Sequence, residues 1–289
     1  MDESPSWHDE YPFKSHYLEA DGYRYHFLDE GEGDPVLMVH GNPTWSFYWR
    51  RLVLALSPRQ RAIAVDHLGC GLSDKPLDYP YRLEDHVANL AGLVQTLDLQ
   101  NITLVVHDWG GPIGLSAALQ LQERIGRLVI LNTGAFPPPS IPLRIRCCRI
   151  PLLGNFMVRR LNLFARLALK MATHRKQLSK PARDGLLSPY DSYANRIAIA
   201  RFIEQIPSSP GHPNWQLLCS LEKQLQGLSN IPTHIIWGMK DWCFTPHCLD
   251  RLMEIFPHAD VTRLEDVGHY VMEENPDRVI QLVSEFLQT

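Results

Sequence analysis

Three residues stand in an order that suits nucleophilic catalysis: Asp108 in "VVHDWGGPIG", Asp241 in "WGMKDWCF" and His269 in "LEDVGHY". Val105 and Val106 close an apolar run, and Gly110, Gly111 and Gly114 follow at once, so Asp108 falls on a sharp strand-to-helix bend. Such a bend, with glycine two positions on, is the nucleophile-elbow arrangement, in which an acid and then a histidine follow the nucleophile along the chain. His107 replaces the usual first glycine, and Asp108 stands where serine is commoner. A helix N-cap would explain an aspartate at that point, but not its ordered partners.

An aspartate nucleophile restricts the chemistry. Its carboxylate attacks saturated carbon and forms an alkyl ester. His269 can then activate water against that ester, with Asp241 orienting the imidazole. Asp266 is the weaker candidate for the orienting acid, and Asn132, after the strand that follows the elbow helix, is no acid at all. "HGNPTWSFYWR" (40–50) adds Asn42. The backbone N–H groups of Asn42 and Trp109 suit an oxyanion hole. Their side-chain N–H groups are neutral donors, suited to a weakly basic leaving anion such as halide. His40 and His107 read as hydrogen-bonding supports for this set.

The elements that must hold these residues alternate. "KSHYLEADGYRYHFLDEGEG" reads as a hairpin turning at Asp21-Gly22. Apolar strands end at Gly41, Asp108, Asp241 and near His269, with helices expected at about 45–56, 82–97, 111–124, 246–255 and 275–287. Strands that are apolar throughout and alternate with helices imply a parallel sheet covered on both faces. Ligands of such sheets sit beyond the carboxyl ends of the strands. The proline-rich stretches "FPPPSIP" and "IPSSPGHP" bracket an inserted helical cap. The expected division is a main domain of residues 1–135 and 211–289 with a cap at 136–210.

Charge separates the two parts. Residues 141–205 hold 13 Lys/Arg and 3 Asp/Glu, a net +10, which leaves −14 for the rest. "NFMVRRLNLFARLALKMATHRK" (155–176) reads as an amphipathic lid helix over the pocket. An interfacial helix touching an anionic membrane or an acidic partner is the alternative, and the opposite charges of the two parts would also suit a homo-oligomer.

The chain has 289 residues, 45% of them apolar and 21% charged, as expected of a soluble globular enzyme. A net charge of −4 gives no general attraction to nucleic acid. The six cysteines match no zinc pattern, and reduced thiols in a cytoplasmic protein are expected. The opening "MDESPSWHDEYPF" is acidic and polar, unlike a secretory signal, and no apolar run is long enough to span a membrane. No metal or organic cofactor is implied.

"HGNPTWSFYWR", "DHLGCGLSDKP", "VVHDWGGPIG", "WGMKD" and "GHY" together resemble the haloalkane dehalogenase family. The resemblance implies an α/β-hydrolase fold, a mostly parallel sheet with an inserted helical cap. It also implies hydrolytic dehalogenation of a small apolar alkyl halide with water, with Asn42 and Trp109 holding the halide. The Asn42 and Trp109 pair with the acid at Asp241 resembles a branch that is similar to bacterial β-lactone decarboxylases of long-chain olefin synthesis. "HDWGG" is shared with epoxide hydrolases, whose cap tyrosines act as acids, and Tyr190 and Tyr193 are available for that part. A non-catalytic hydrolase-fold binding protein is the remaining alternative.

Overall fold

The computed structural model describes residues 6–288; residues 1–5, which begin the acidic N-terminal stretch, and residue 289 lie outside the described residues. One eight-stranded sheet is built from β1 (His16–Ala20), β2 (Tyr23–Glu30), β3 (Pro35–Val39), β4 (Arg61–Val65), β5 (Ile102–Asp108), β6 (Ile125–Thr133), β7 (Thr233–Gly238) and β8 (Asp260–Leu264). The order is β1-β2-β4-β3-β5-β6-β7-β8. The β1–β2 and β2–β4 pairs are antiparallel and the rest parallel. The expected hairpin turns at Asp21 and Gly22, whose φ of 52° and 81° match the doubly left-handed turn that Asp-Gly favours.

The helices are α1 (Arg50–Leu56), α2 (Leu83–Thr96), α3 (Gly110–Gln120), α4 (Leu143–Cys147), α5 (Leu153–Asn155), α6 (Leu163–Met171), α7 (Lys180–Leu187), α8 (Ile197–Gln205), α9 (Pro213–Gln224), α10 (Pro246–Ile255), α11 (Val271–Glu274) and α12 (Pro276–Phe286). The continuous apolar strands explain how these pack. Leu37, Val39, Leu104 and Val106 belong to one buried cluster, and Val36, Met38 and Val105 to another. Successive side chains point to opposite faces of a strand, so both faces of β3 and β5 are core. Burying each such side chain contributes about 1.5–3 kcal/mol. An eight-stranded, mostly parallel sheet flanked by helices is the fold expected from the sequence.

Helices α4 to α9 fill the long connection between β6 and β7. They are tied down by Trp45, whose indole N–H donates to the Gly185 carbonyl at 2.9 Å, and by the Tyr190 hydroxyl, which donates to Thr44 O at 3.0 Å. One expectation fails here. Residues 155–176 do not form a single lid helix. A π-helical turn at Phe156–Arg160 follows α5, and Asn162 then adopts φ 52° before α6 begins. Asparagine tolerates that left-handed conformation, and its Nδ2 donates to Tyr190 O at 3.2 Å, which holds the break.

Candidate active site

The bend at Asp108 is made by backbone conformation. Asp108 ends β5 with φ 53°, and Trp109 begins the turn into α3. A non-glycine residue held there costs of order 1–3 kcal/mol, so its surroundings must enforce it. Thr133 Oγ1 donates a short hydrogen bond to the Asp108 carbonyl. A Cβ at Gly41 would collide with the Asp108 carboxylate, and one at Gly111 with the Thr133 hydroxyl. These glycines let the β3 loop and α3 close around the carboxylate.

The two oxygens of Asp108 have different surroundings. Oδ1 accepts from the Asn42 backbone N–H at 2.6 Å, and the Trp109 backbone N–H also donates to the carboxylate. Oδ2 lies 3.7 Å from His269 Nε2. On the far side of that ring, Nδ1 donates to Asp241 Oδ2 at 2.8 Å. Asp241 is held in turn: Oδ1 accepts from the N–H groups of Cys243 at 2.7 Å and Phe244 at 3.1 Å, and Oδ2 accepts from Asn132 Nδ2 at 3.0 Å. His107 Nε2 donates to the His269 carbonyl at 2.9 Å, and the Phe244 ring stacks on the imidazole.

Burial sets the electrostatics. It pushes the Asp108 carboxyl above the usual carboxylate range, although His269 and the two backbone N–H groups pull it back. For His269, burial alone would favour the neutral ring. The Asp241 carboxylate, with Asp108 and Glu274 beyond it, outweighs that and holds the imidazole above the usual histidine range. His40 is kept neutral by burial; Nδ1 donates to Gly41 O at 2.7 Å and Nε2 accepts from His67 N at 3.1 Å.

Asp108, Asn42, Trp109 and His269 line one cavity of about 400 Å³, within the range of small-molecule sites. Its other walls are mainly apolar, and α4, α6 and the proline-rich 138–142 stretch supply a large part of them. The Trp109 indole N–H has no partner among the described residues. The Asn42 side chain reaches Ile199 O only at 3.4 Å, and its Oδ1 is buried without a partner. The Trp109 indole N–H and the second Asn42 amide N–H therefore remain as donors for a molecule in the cavity.

A family model for the alpha/beta hydrolase fold matches residues 34–276. The chain is 45% identical over 282 residues to the cis-3-alkyl-4-alkyloxetan-2-one decarboxylase of Shewanella oneidensis, covering 96% of this chain and 89% of the relative. It is 32% identical over 279 residues to haloalkane dehalogenase 2 of Mycobacterium bovis, covering 95% of both. The chain belongs to the haloalkane dehalogenase family of α/β-hydrolases. The crystal structure of the family's DatA from Agrobacterium tumefaciens C58 superposes with a TM-score of 0.85 at 25% identity, over 95% of this chain and 96% of that one.

All five residues singled out from the sequence meet in this family's fold at the carboxyl ends of the strands. Other candidates do not. Asp266 is exposed and faces Arg175 at 3.5 Å. Tyr190 is fully buried on Thr44, Tyr193 is exposed against Arg159, and neither lines the cavity. The cap tyrosines available for the epoxide-opening alternative are thus not at the site. Sequence reasoning missed three supports: Asn132, Phe244 and Glu274. Glu274 accepts from Gly268 N at 2.7 Å, His174 N at 2.6 Å and Arg175 N at 2.5 Å, so one carboxylate joins the end of α6 to the loop that carries His269. Asn132 alone had a visible signal, its place at the end of the strand that follows the elbow helix.

Proposed function

We propose that this chain opens and decarboxylates β-lactones that bear alkyl chains on both ring carbons, with Asp108 as nucleophile. The sequence alone put dehalogenation first; the 45% identity to an oxetan-2-one decarboxylase over nearly the whole chain moves the lactone ahead. The observation that carries the chemistry is the division of labour at Asp108. Oδ1 is held by backbone N–H groups, which leaves Oδ2 to face the cavity beside His269. A buried carboxylate with one oxygen short of solvation suits attack on saturated carbon.

In the proposed reaction, Oδ2 attacks the ring carbon that bears the ring oxygen. The carbon–oxygen bond breaks, and its electron pair stays on the departing oxygen as a carboxylate. The side-chain N–H groups of Trp109 and Asn42 receive that weakly basic oxygen. The bond from carbon to the new carboxylate then breaks. Its electrons form the double bond and expel Asp108, so carbon dioxide and an alkene leave with no water consumed. His269, oriented by Asp241, serves an ester that lacks a neighbouring carboxylate and must wait for water.

That last case is the second reading. An alkyl halide would give the same aspartyl ester, halide held by Asn42 and Trp109, and hydrolysis through His269. The unpartnered Trp109 N–H and the 32% identity to a haloalkane dehalogenase favour it. The purified chain, offered a cis-dialkyl β-lactone and a bromoalkane of similar length, separates the two. Alkene and carbon dioxide in equal amounts, at a higher kcat/KM than bromide release, support the lactone. A β-hydroxy acid as product, or faster bromide release, overturns it.

A further inference from the structure

The outer face of the β6–β7 connection is unlike the rest of the surface. Leu152 is 90% exposed and Leu143 72%. With Ile150, Leu153, Phe156, Leu161 and Leu167, they make up seven of the eleven large apolar side chains exposed among the described residues. Soluble monomers rarely expose such a patch without using it. Leu152 also sits at φ 61°, in the region that disfavours a side chain, so a strained backbone presents an exposed leucine.

The segment that carries these side chains is strongly basic and holds no acid of its own, although Glu204 acts on Arg149 and Asp266 faces Arg175 from other parts of the chain. No Asp or Glu occurs between Glu123 and Asp184. Arg146, Arg160, Arg166, Lys170 and Lys176 are exposed and have no carboxylate partner among the described residues. The cavity also reaches the surface here, because Arg144, Cys147 and Leu167 are at once exposed and part of its wall.

We propose that this face docks on an anionic lipid surface, with Leu152, Leu153 and Phe156 entering the apolar boundary and the flanking arginines and lysines meeting the headgroups. Apolar side chains flanked by unpaired cations fit an interface of acyl chains beneath negative charge. No helix among the described residues is long and apolar enough to cross a membrane, so the contact is peripheral. A second copy is a poorer occupant, since an isologous contact would bring two strongly basic segments together. Docked in this way, the cavity mouth faces the phase in which long-chain substrates dissolve. The docking itself does not depend on which reaction follows.

Flotation of the full chain with vesicles tests this. Vesicles of phosphatidylcholine with phosphatidylglycerol should carry the protein at low salt; phosphatidylcholine alone should not, and high salt should release it. Leu152→Glu with Phe156→Glu, and separately Arg146→Glu with Arg160→Glu, should each weaken binding more than about tenfold. Their unfolding curves should match the parent, and lactone or bromoalkane turnover in detergent solution should be unchanged, because none of the four residues lines the cavity. No flotation with anionic vesicles, or flotation unchanged in both variants, overturns the proposal. So does salt-sensitive self-association without vesicle binding, which would assign the face to a second copy. A parent protein that floats but does not turn over the lactone would count against the proposed reaction only.

Discussion

Asn132 donates to Asp241 Oδ2 at 3.0 Å while the same amide grips Gly238 at both ends, accepting from its N–H at 2.7 Å and donating to its carbonyl at 3.0 Å. A residue of β6 thereby fixes the carboxylate that follows β7. Replacing it by alanine strands buried groups of Gly238 and removes a hydrogen bond to a charged acceptor, worth about 1.5–3 kcal/mol. Asn132→Ala is expected to lower hydrolytic kcat roughly tenfold to a hundredfold with little change in KM. Steady-state kinetics on a bromoalkane check it; a pure KM effect would place Asn132 outside the orienting chain.

The carboxylates around His269 set a pH dependence. They favour the imidazolium, so the neutral base appears only as pH rises through a value above the usual histidine range. By the same sign, protonated His269 stabilises the fold at low pH, and that contribution is lost as pH rises through the folded-state value. Asp241→Asn removes the largest opposing charge and leaves burial to act, so the titration should move to lower pH. Ring-proton NMR of His269 in both proteins reads the shift. A parent titration at or below the ordinary histidine value would contradict the electrostatic picture.

Two side-chain donors wait in the cavity. Trp109→Phe keeps an aromatic ring, though a smaller one, and removes the N–H, and Asn42→Ala removes the amide while leaving the backbone donor to Asp108 Oδ1 in place. Each is expected to reduce turnover roughly tenfold to a hundredfold. If the donors serve the leaving group, loss should grow as the leaving group becomes harder to expel, from bromide to chloride. Equal losses across halides would make them packing residues.

Glu274 joins α6 to the loop of His269 through three backbone N–H groups. Glu274→Ala leaves the buried Gly268 N–H without its acceptor, at about 1–3 kcal/mol, while the part-buried His174 and Arg175 N–H groups can turn to water. Denaturant unfolding should show a loss of at least that order, and the mobility of residues 172–176 should rise in hydrogen exchange. Unchanged stability and unchanged exchange would show that the contact is incidental.

The sequence carried the elbow, the order of its partners and the parallel sheet, because each leaves a local trace: glycines at the bend, apolar strands, polar residues just past their ends. It did not carry the break at Asn162. Apolar periodicity continues across Phe156, Leu163 and Leu167 as if one helix ran through, and the left-handed residue is chosen by its bond to Tyr190, far along the chain. Tyr190 and Tyr193 illustrate the same limit. Residue type made them candidate acids, while tertiary packing turned one onto Thr44 and the other outward. The cavity walls depend on how the helices between β6 and β7 settle, which no short motif encodes.

The central claim is that Asp108 Oδ2 bonds to the ring carbon of a β-lactone and is later expelled unhydrolysed. Repeated lactone turnover in heavy-oxygen water, followed by mass analysis of the Asp108 peptide, addresses it directly, with Asp108→Ala run alongside. Equimolar alkene and carbon dioxide, no heavy oxygen in Asp108, and no turnover by Asp108→Ala are the expected results. Heavy oxygen accumulating in Asp108 during lactone turnover, or an Asp108→Ala variant as fast as the parent, would contradict it.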